Sequence, residues 1–70
     1  MQIKGKRIVV TGAASGIGKA LCEAFSNAEA KSIVCVDMNI EGATETANDV
    51  KGLAVQANVG QEADIINVIE

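Results

Sequence analysis

The sequence predicts an α/β fold in which three parallel strands alternate with helices, as in one half of a doubly wound sheet. Short apolar runs at residues 8–10, 33–36 and 53–57 have the length and character of buried strands. The segments between them space their apolar residues as helices do, and the connections are short. Strands and helices that alternate in this way are typical of a parallel sheet with right-handed crossovers.

The first strand leads through a loop over residues 11–16 into a helix that we expect to end near Asn27. Apolar residues at helical spacing predict its buried face: Ile17, Leu21, Ala24, Phe25 and Ala28. The second strand ends at Asp37, and Asn39 is a plausible N-cap for the next helix, over residues 40–49. That helix has weak formers at Gly42, Thr44 and Thr46. Its expected face consists of Ile40, Ala43, Ala47 and Val50.

Gly52 is expected to end the second helix, and a third strand and a turn follow at residues 53–57 and 58–60. Residues 61–70 space apolar side chains at Ala63, Ile66 and Ile69, which favours a further helix with no stop signal before Glu70. We therefore expect residues 1–70 to be the N-terminal part of a single domain, truncated in its last helix.

Composition excludes several classes of partner. A formal net charge of -3 argues against nucleic acid and anionic membranes. No apolar stretch approaches the roughly 20 residues of a membrane span. The chain has no histidine and no zinc-type cysteine spacing, so no metal site is expected. Cys22 and Cys35 are expected to be small core residues in a reducing compartment, and we expect the protein to be cytoplasmic.

The glycine-rich loop carries the chemistry. Gly12 allows a sharp turn after the strand, Gly16 lets the backbone approach a pyrophosphate, and Gly18 lets helix and strand pack closely. The unpaired N–H groups and dipole of the following helix favour an anion. The spacing G-x-x-x-G-x-G differs from the general dinucleotide pattern G-x-G-x-x-G. The P-loop of nucleoside triphosphatases, G-x-x-x-x-G-K-[S/T], is disfavoured because Ala13 stands at its first glycine and Ala20 at its Ser/Thr position. The remaining alternative is a turn that only packs the helix on the sheet.

Asp37 lies 19 residues after Gly18, at the end of the second strand. An acidic residue about 20 residues beyond such a loop accepts hydrogen bonds from the adenosine ribose of NAD. A 2′-phosphate beside a carboxylate is repelled, and the neighbours Ser15 and Met38 are not basic, so NADP is less favoured than NAD. The alternative is a solvated aspartate at a strand end.

The run Thr11-Gly12-Ala13-Ala14-Ser15-Gly16-Ile17-Gly18 resembles the T-G-x-x-x-G-[I/L]-G motif of the short-chain dehydrogenase/reductase family. The lead-in over residues 5–10 resembles that family's first strand, and the resemblance covers essentially the whole chain. It implies a Rossmann fold and an NAD(P)-dependent oxidoreductase that acts on alcohols and ketones.

The resemblance also implies cofactor-binding residues. Gly12, Gly16 and Gly18 would line the pyrophosphate, with backbone contributions from Ser15 and Ile17. Asp37 would bind the adenosine ribose, and Met38 would lie beside the adenine. Asn58-Val59 occupies the place of the family's Asp-Val pair, which contacts the adenine, although Asn58 is equally well explained as a turn residue.

The catalytic Tyr-x-x-x-Lys pair, serine and asparagine of that family come later in the chain, and this sequence has no tyrosine. We therefore assign no catalytic residue and expect the 70-residue chain to be inactive alone. The intact protein would transfer a hydride between NAD and a small alcohol or carbonyl substrate, as a homodimer or homotetramer. The alternatives are a non-catalytic dinucleotide-binding module and a docking fragment that ends at Glu70.

Overall fold

The computed structural model describes residues 3–57 and 66–69. The elements are β1 (Arg7–Thr11), α1 (Gly16–Asn27), β2 (Ser32–Asp37), α2 (Ile40–Val50), β3 (Leu53–Gln56) and β4 (Ile66–Ile69). They form a sheet of order β3-β2-β1-β4. The first three strands are parallel and β4 is antiparallel to β1, so the predicted α/β fold with a parallel sheet is confirmed.

Register places alternate residues of neighbouring strands on one face of the sheet. Ile8 pairs with Ile33, Val10 with Cys35, and Cys35 with Ala54. Both helices pack on this face. Every second residue of a strand points toward it, and these apolar side chains meet the apolar sides of the two helices there. The buried cluster consists of Ile8, Val10, Ala13, Cys22, Ile33, Cys35, Ala43, Ala47 and Val50.

The buried face of α1 differs from the predicted one. Gly18 and Cys22 are buried, and Leu21 and Phe25 are half-buried. Of the other predicted members, Ile17 is 72% exposed, and Ala24 and Ala28 are exposed as well. The reason is that Gly18 lies against Gly12 and Ala13 of the preceding loop. The buried side of α1 is therefore centred on Gly18 and Cys22, and the neighbouring Ile17 faces solvent. Apolar spacing alone does not record that contact.

Helix α2 begins after Asn39 as predicted, and the Asn39 side chain accepts a hydrogen bond from the Gly42 N–H at 3.2 Å. Its buried residues are Ala43, Thr46, Ala47 and Val50, whereas Ile40 is exposed. The helix ends at Val50 and is capped by Lys51, which takes the left-handed conformation with φ 58°. Gly52, the predicted stop, instead lies so close to the Ile33 carbonyl that a Cβ would overlap it.

The helix predicted for residues 61–70 is wrong at residues 66–69, which form β4; residues 61–65 lie outside the described residues. The run Ile66-Asn67-Val68-Ile69 is rich in β-branched residues, which favour extended backbone. The β1 edge offers it a ladder, with Val10 opposite Ile66 and Arg7 opposite Ile69. Strand propensity and pairing with β1 therefore decide the structure of residues 66–69, although the isoleucines are also spaced as in a helix.

The apolar runs of β1 and β2 predict buried strands, and that of β1 in particular predicts a strand covered on both faces. Among the described residues, helices cover one face, and β3 leaves Leu53 68% exposed and Val55 exposed. No helix in the described part of the chain has the length and apolar character to cross a bilayer.

Candidate functional site

The glycine-rich loop and the end of β2 lie at the same edge of the sheet, because β1 and β2 are parallel neighbours. Thr11 pairs with Val36, so the chain leaves both strands at nearly the same level. The carboxyl ends of parallel strands are where open α/β sheets bind ligands. The sequence-predicted loop and Asp37 are therefore brought together.

The N-terminus of α1 is capped and faces solvent. The Ser15 hydroxyl accepts from the Gly18 N–H at 3.1 Å and donates to the Gly12 carbonyl at 2.7 Å. In the described ranges, the N–H groups of Gly16 and Ile17 have no acceptor, as expected for a first helical turn. No acidic residue lies in that turn. Two free donors at the positive end of the helix dipole suit an anion.

The three loop glycines are in three different situations. Gly12 has φ +70°, which favours glycine, and so allows the turn out of β1. At Gly18 a Cβ would overlap the Gly12 carbonyl and come 2.9 Å from the Ala13 Cα. At Gly16 a Cβ would meet nothing within 4 Å. Gly12 and Gly18 are thus required by the fold, whereas the space at Gly16 is open to a ligand.

The Asp37 carboxylate is bound to the loop. Oδ2 accepts from the Ala14 N–H and Oδ1 from the Asn39 N–H, both at 3.0 Å. A carboxylate has about four lone-pair positions, so these two bonds leave acceptor capacity on both oxygens. Asp37 is half-buried, which sets aside a purely solvated aspartate. Its carboxylate can accept two further hydroxyl hydrogen bonds at the mouth of the loop.

Sequence reasoning missed that α2 holds the loop. The Thr46 hydroxyl lies 2.9 Å from the Ala13 carbonyl oxygen, 33 residues away in sequence. A Cβ at Gly42 would come 2.6 Å from the Ala14 Cβ, so the first turn of α2 lies directly against the loop. The available signal was a threonine on the apolar stripe of Ala43, Ala47 and Val50.

The remaining predicted residues are less closely tied to the loop. Met38 is exposed beside Asp37, and its carbonyl accepts from the Gln56 side-chain amide at 3.1 Å. The Ala57 N–H donates to the Asp37 carbonyl at 3.1 Å, which brings the end of β3 to the same edge. Asn58 and Val59 lie outside the described residues, so their adenine contact stays a prediction.

The two cysteines are free, buried core residues, as predicted, and they face each other away from the loop. Their Sγ atoms are 3.7 Å apart, between α1 and β2. Burial raises the pKa of the Cys22 thiol to about 12, with the neighbouring Cys35 adding to the shift. Burial also raises the pKa of Cys35. Neither thiol ionises near neutral pH. No group of three or more potential metal ligands occurs in the described part of the chain.

The chain matches a known protein family and curated relatives over most of its length. The short chain dehydrogenase family model matches residues 6–70. The oxidoreductase YuxG of Bacillus subtilis is 35% identical over 72 residues, which cover 93% of this chain and 10% of that protein.

Solved structures share the fold. A short-chain dehydrogenase/reductase from Burkholderia phymatum in complex with NAD is 25% identical with a TM-score of 0.78, over 84% of this chain and 22% of that one. A protein named ribose-5-phosphate isomerase from Brucella melitensis is 38% identical with a TM-score of 0.77, over 86% and 23%. The chain thus spans between about a tenth and a quarter of the length of these relatives. With the family match over residues 6–70, it belongs to the short-chain dehydrogenase/reductase family.

Proposed function

We propose that this chain binds NAD, in preference to NADP, as the cofactor-binding portion of an oxidoreductase. The observation that carries the proposal is the pairing of two features at one sheet edge. The first is the pair of free N–H groups at Gly16 and Ile17, and the second is the Asp37 carboxylate joined to the same loop. An anion site and a hydroxyl acceptor side by side suit a phosphate next to a ribose.

The pyrophosphate would lie over Gly16. The open space at that residue lets a phosphate approach the backbone, and the first turn of α1 supplies donors without a competing carboxylate. Gly12 and Gly18 shape the turn that presents these donors, and Ser15 caps the helix. The open space at Gly16 and the donors of this turn support a phosphate position there.

The adenosine end would lie toward β2. Asp37 has free acceptor capacity for the ribose hydroxyls, and Met38 offers an exposed apolar side chain to the adenine. We place Asn58 and Val59 near the adenine by family resemblance. A 2′-phosphate would lie beside the Asp37 carboxylate and be repelled, which favours NAD over NADP. The complex of the Burkholderia phymatum relative with NAD supports a nicotinamide dinucleotide as the class of cofactor.

When bound, the nicotinamide supplies hydride chemistry toward an alcohol or carbonyl carbon. The residues described above bind and orient the dinucleotide; none of them is proposed to act on the substrate. Since the chain contains no tyrosine, the proton-transfer groups of the family would come from additional sequence. A cytoplasmic location is a further part of this proposal and rests on the composition. A homodimeric or homotetrameric full-length protein is another, and it rests on the family resemblance.

The test of NAD preference is Asp37→Ala, with titration of NAD and NADP followed by calorimetry. The substitution should weaken both cofactors, because the Ala14 N–H loses its acceptor, but NAD should weaken more. The ratio of the NADP to the NAD dissociation constant should fall by about tenfold, given about 1.5–3 kcal/mol for a hydrogen bond to a charged group.

The control is Asp49→Ala, which removes an equally negative side chain that pairs with Lys19. It should leave the ratio unchanged. An unchanged ratio in Asp37→Ala would refute the role of Asp37.

The alternative, a non-catalytic dinucleotide-binding module, is separated from the oxidoreductase by the gene sequence after the Glu70 codon. An open frame that encodes a Tyr-x-x-x-Lys pair supports the oxidoreductase. A stop codon there supports the binding module for this chain.

A further inference from the structure

Thr46 is buried in α2 although its side chain is polar. It is 1% exposed, and no other polar side chain within residues 3–57 is buried to the same degree. Its hydroxyl lies 2.9 Å from the Ala13 carbonyl oxygen and 3.2 Å from the Gly42 carbonyl oxygen. A hydroxyl has one hydrogen to donate. The Gly42 carbonyl lies within α2, where the helical ladder satisfies it, so the bond to Ala13 is the one that joins two elements.

Ala13 is fully buried, and both of its backbone polar groups are bound outside the loop. Its N–H donates to the Val36 carbonyl at 3.1 Å, and its carbonyl accepts from Thr46. The next residue, Ala14, donates its N–H to Asp37. The first half of the loop is thus fixed at three successive points, one of which comes from α2.

The second half of the loop follows directly and has no comparable attachment to α2. Ser15 caps α1, Gly16 and Ile17 begin its first turn, and all three residues are exposed. Since Ser15 donates its N–H and its hydroxyl to Gly12, the free N–H groups are placed by the position of residues 12–14. A shift of the Ala13 carbonyl therefore moves the donors that face the ligand.

We propose that Thr46 is a positioning residue for the glycine-rich loop. Its buried hydroxyl holds the Ala13 carbonyl and so sets where the Gly16 and Ile17 N–H groups meet a pyrophosphate. The ligand part of this inference rests on the proposed function, whereas the loop part does not. The close approach of Gly42 to Ala14 supports it, because α2 lies against the loop over its first two turns.

The experiment compares Thr46→Val, Thr46→Ser and Thr44→Val. Valine matches threonine in shape and lacks the hydroxyl, so the Ala13 carbonyl is left buried without a donor. Serine restores the hydroxyl. Thr44 is the matched control: it lies in the same helix and is exposed, and its hydroxyl bonds only the Ile40 carbonyl, at 2.7 Å. Should Thr46→Val not fold, Thr46→Ala provides the same comparison with Thr46→Ser.

The first readout is amide hydrogen exchange without ligand, in the 70-residue chain and in any longer product of its gene. Thr46→Val should speed exchange at Ala13 and Ala14 by about tenfold relative to β2 amides, because the Ala13 carbonyl loses its donor. Thr46→Ser and Thr44→Val should match the parent chain. Equal acceleration at every amide, or loss of protection in Thr46→Ser as well, would overturn the proposal.

The second readout is the affinity for ADP-ribose, a probe that contains the pyrophosphate. Thr46→Val should weaken it by about tenfold, and Thr46→Ser should restore it. An unchanged affinity with accelerated loop exchange would overturn the link to the pyrophosphate. If neither the parent chain nor any variant binds ADP-ribose while the exchange pattern is as expected, the proposed function fails and the positioning role of Thr46 stands.

Discussion

Helices α1 and α2 begin in nearly the same way and yet face different tasks. Each follows a parallel strand, and each has a cap whose side-chain oxygen accepts from a glycine N–H three residues on: Ser15 with Gly18, and Asn39 with Gly42. The first turn of α1 has no acidic residue, whereas that of α2 contains Glu41. One helix leaves its positive end open to an anion, and the other provides its own carboxylate.

The residues four positions beyond these glycines extend the comparison. Cys22 in α1 lies against Cys35 of the sheet, whereas Thr46 in α2 bonds the loop that precedes α1. A cap motif therefore does not make a ligand site by itself. What distinguishes α1 is the left-handed Gly12 before it and the support it receives from α2.

The largest expected effect is a difference in unfolding free energy between substitutions at Gly18 and Gly42, the glycines whose N–H groups bond the two capping side chains. Gly18→Ala places a Cβ against the Gly12 backbone, which cannot move without deforming the loop, and should cost about 3 kcal/mol of unfolding free energy. Gly42→Ala places a Cβ 2.6 Å from the Ala14 Cβ, which moves only with the loop backbone, and 3.0 Å from the Asn39 amide nitrogen, which can turn away, so it should cost less, about 2 kcal/mol. Urea denaturation measures both. Equal costs would contradict the distinction between backbone and side-chain contact.

The next effect concerns the open space at Gly16. Gly16→Val should change the urea midpoint of unfolding no more than a substitution at an exposed helix position does, because a Cβ there meets nothing within 4 Å. It should weaken NADH by roughly 30-fold, about 2 kcal/mol, since the branched side chain would occupy the pyrophosphate position. Fluorescence titration of NADH checks this. Retained affinity would refute the pyrophosphate position.

A charge exchange tests the difference between the helix N-termini. Ile17→Glu gives the first turn of α1 a carboxylate, as Glu41 does for α2, at a side chain that is already exposed. It should weaken NADH by about fivefold, about 1 kcal/mol, because the added charge repels the pyrophosphate at the dipole end. Ile17→Gln is the neutral control, and Glu41→Gln should leave the NADH affinity unchanged. Equal weakening by Gln and Glu would show that size, not charge, matters at this position.

The smallest effect at neutral pH belongs to Cys22. Since burial raises its pKa from 9.0 to about 12, the unfolded chain ionises this thiol before the folded chain does. Its contribution to the unfolding free energy is therefore constant below pH 9 and falls as pH rises from 9 toward 12. Cys22→Ala should reduce that slope in urea denaturation series, whereas Thr46→Ser should keep it. A slope unaffected by Cys22→Ala would contradict the burial effect.

Local patterns predicted much of the fold and part of the candidate site. The first three strands, both helices and the Asn39 cap follow from apolar periodicity and capping chemistry, which depend on neighbours within a few residues. The isoleucine spacing of the last segment predicts a helix, but residues 66–69 form a strand. Its pairing with β1, nearly sixty residues earlier in the chain, is not encoded in that spacing.

The sequence by itself determined the order of elements from β1 to β3 and the meeting of a glycine-rich loop with an acidic strand end. Strand ends of a parallel sheet must lie at one edge, so Asp37 had to approach the loop. Only the tertiary structure decided which side of α1 is buried, and that Thr46 and Asp37 bond the loop backbone. These contacts join residues 23 and 33 positions apart, and a buried carbonyl accepts whichever donor packing brings to it.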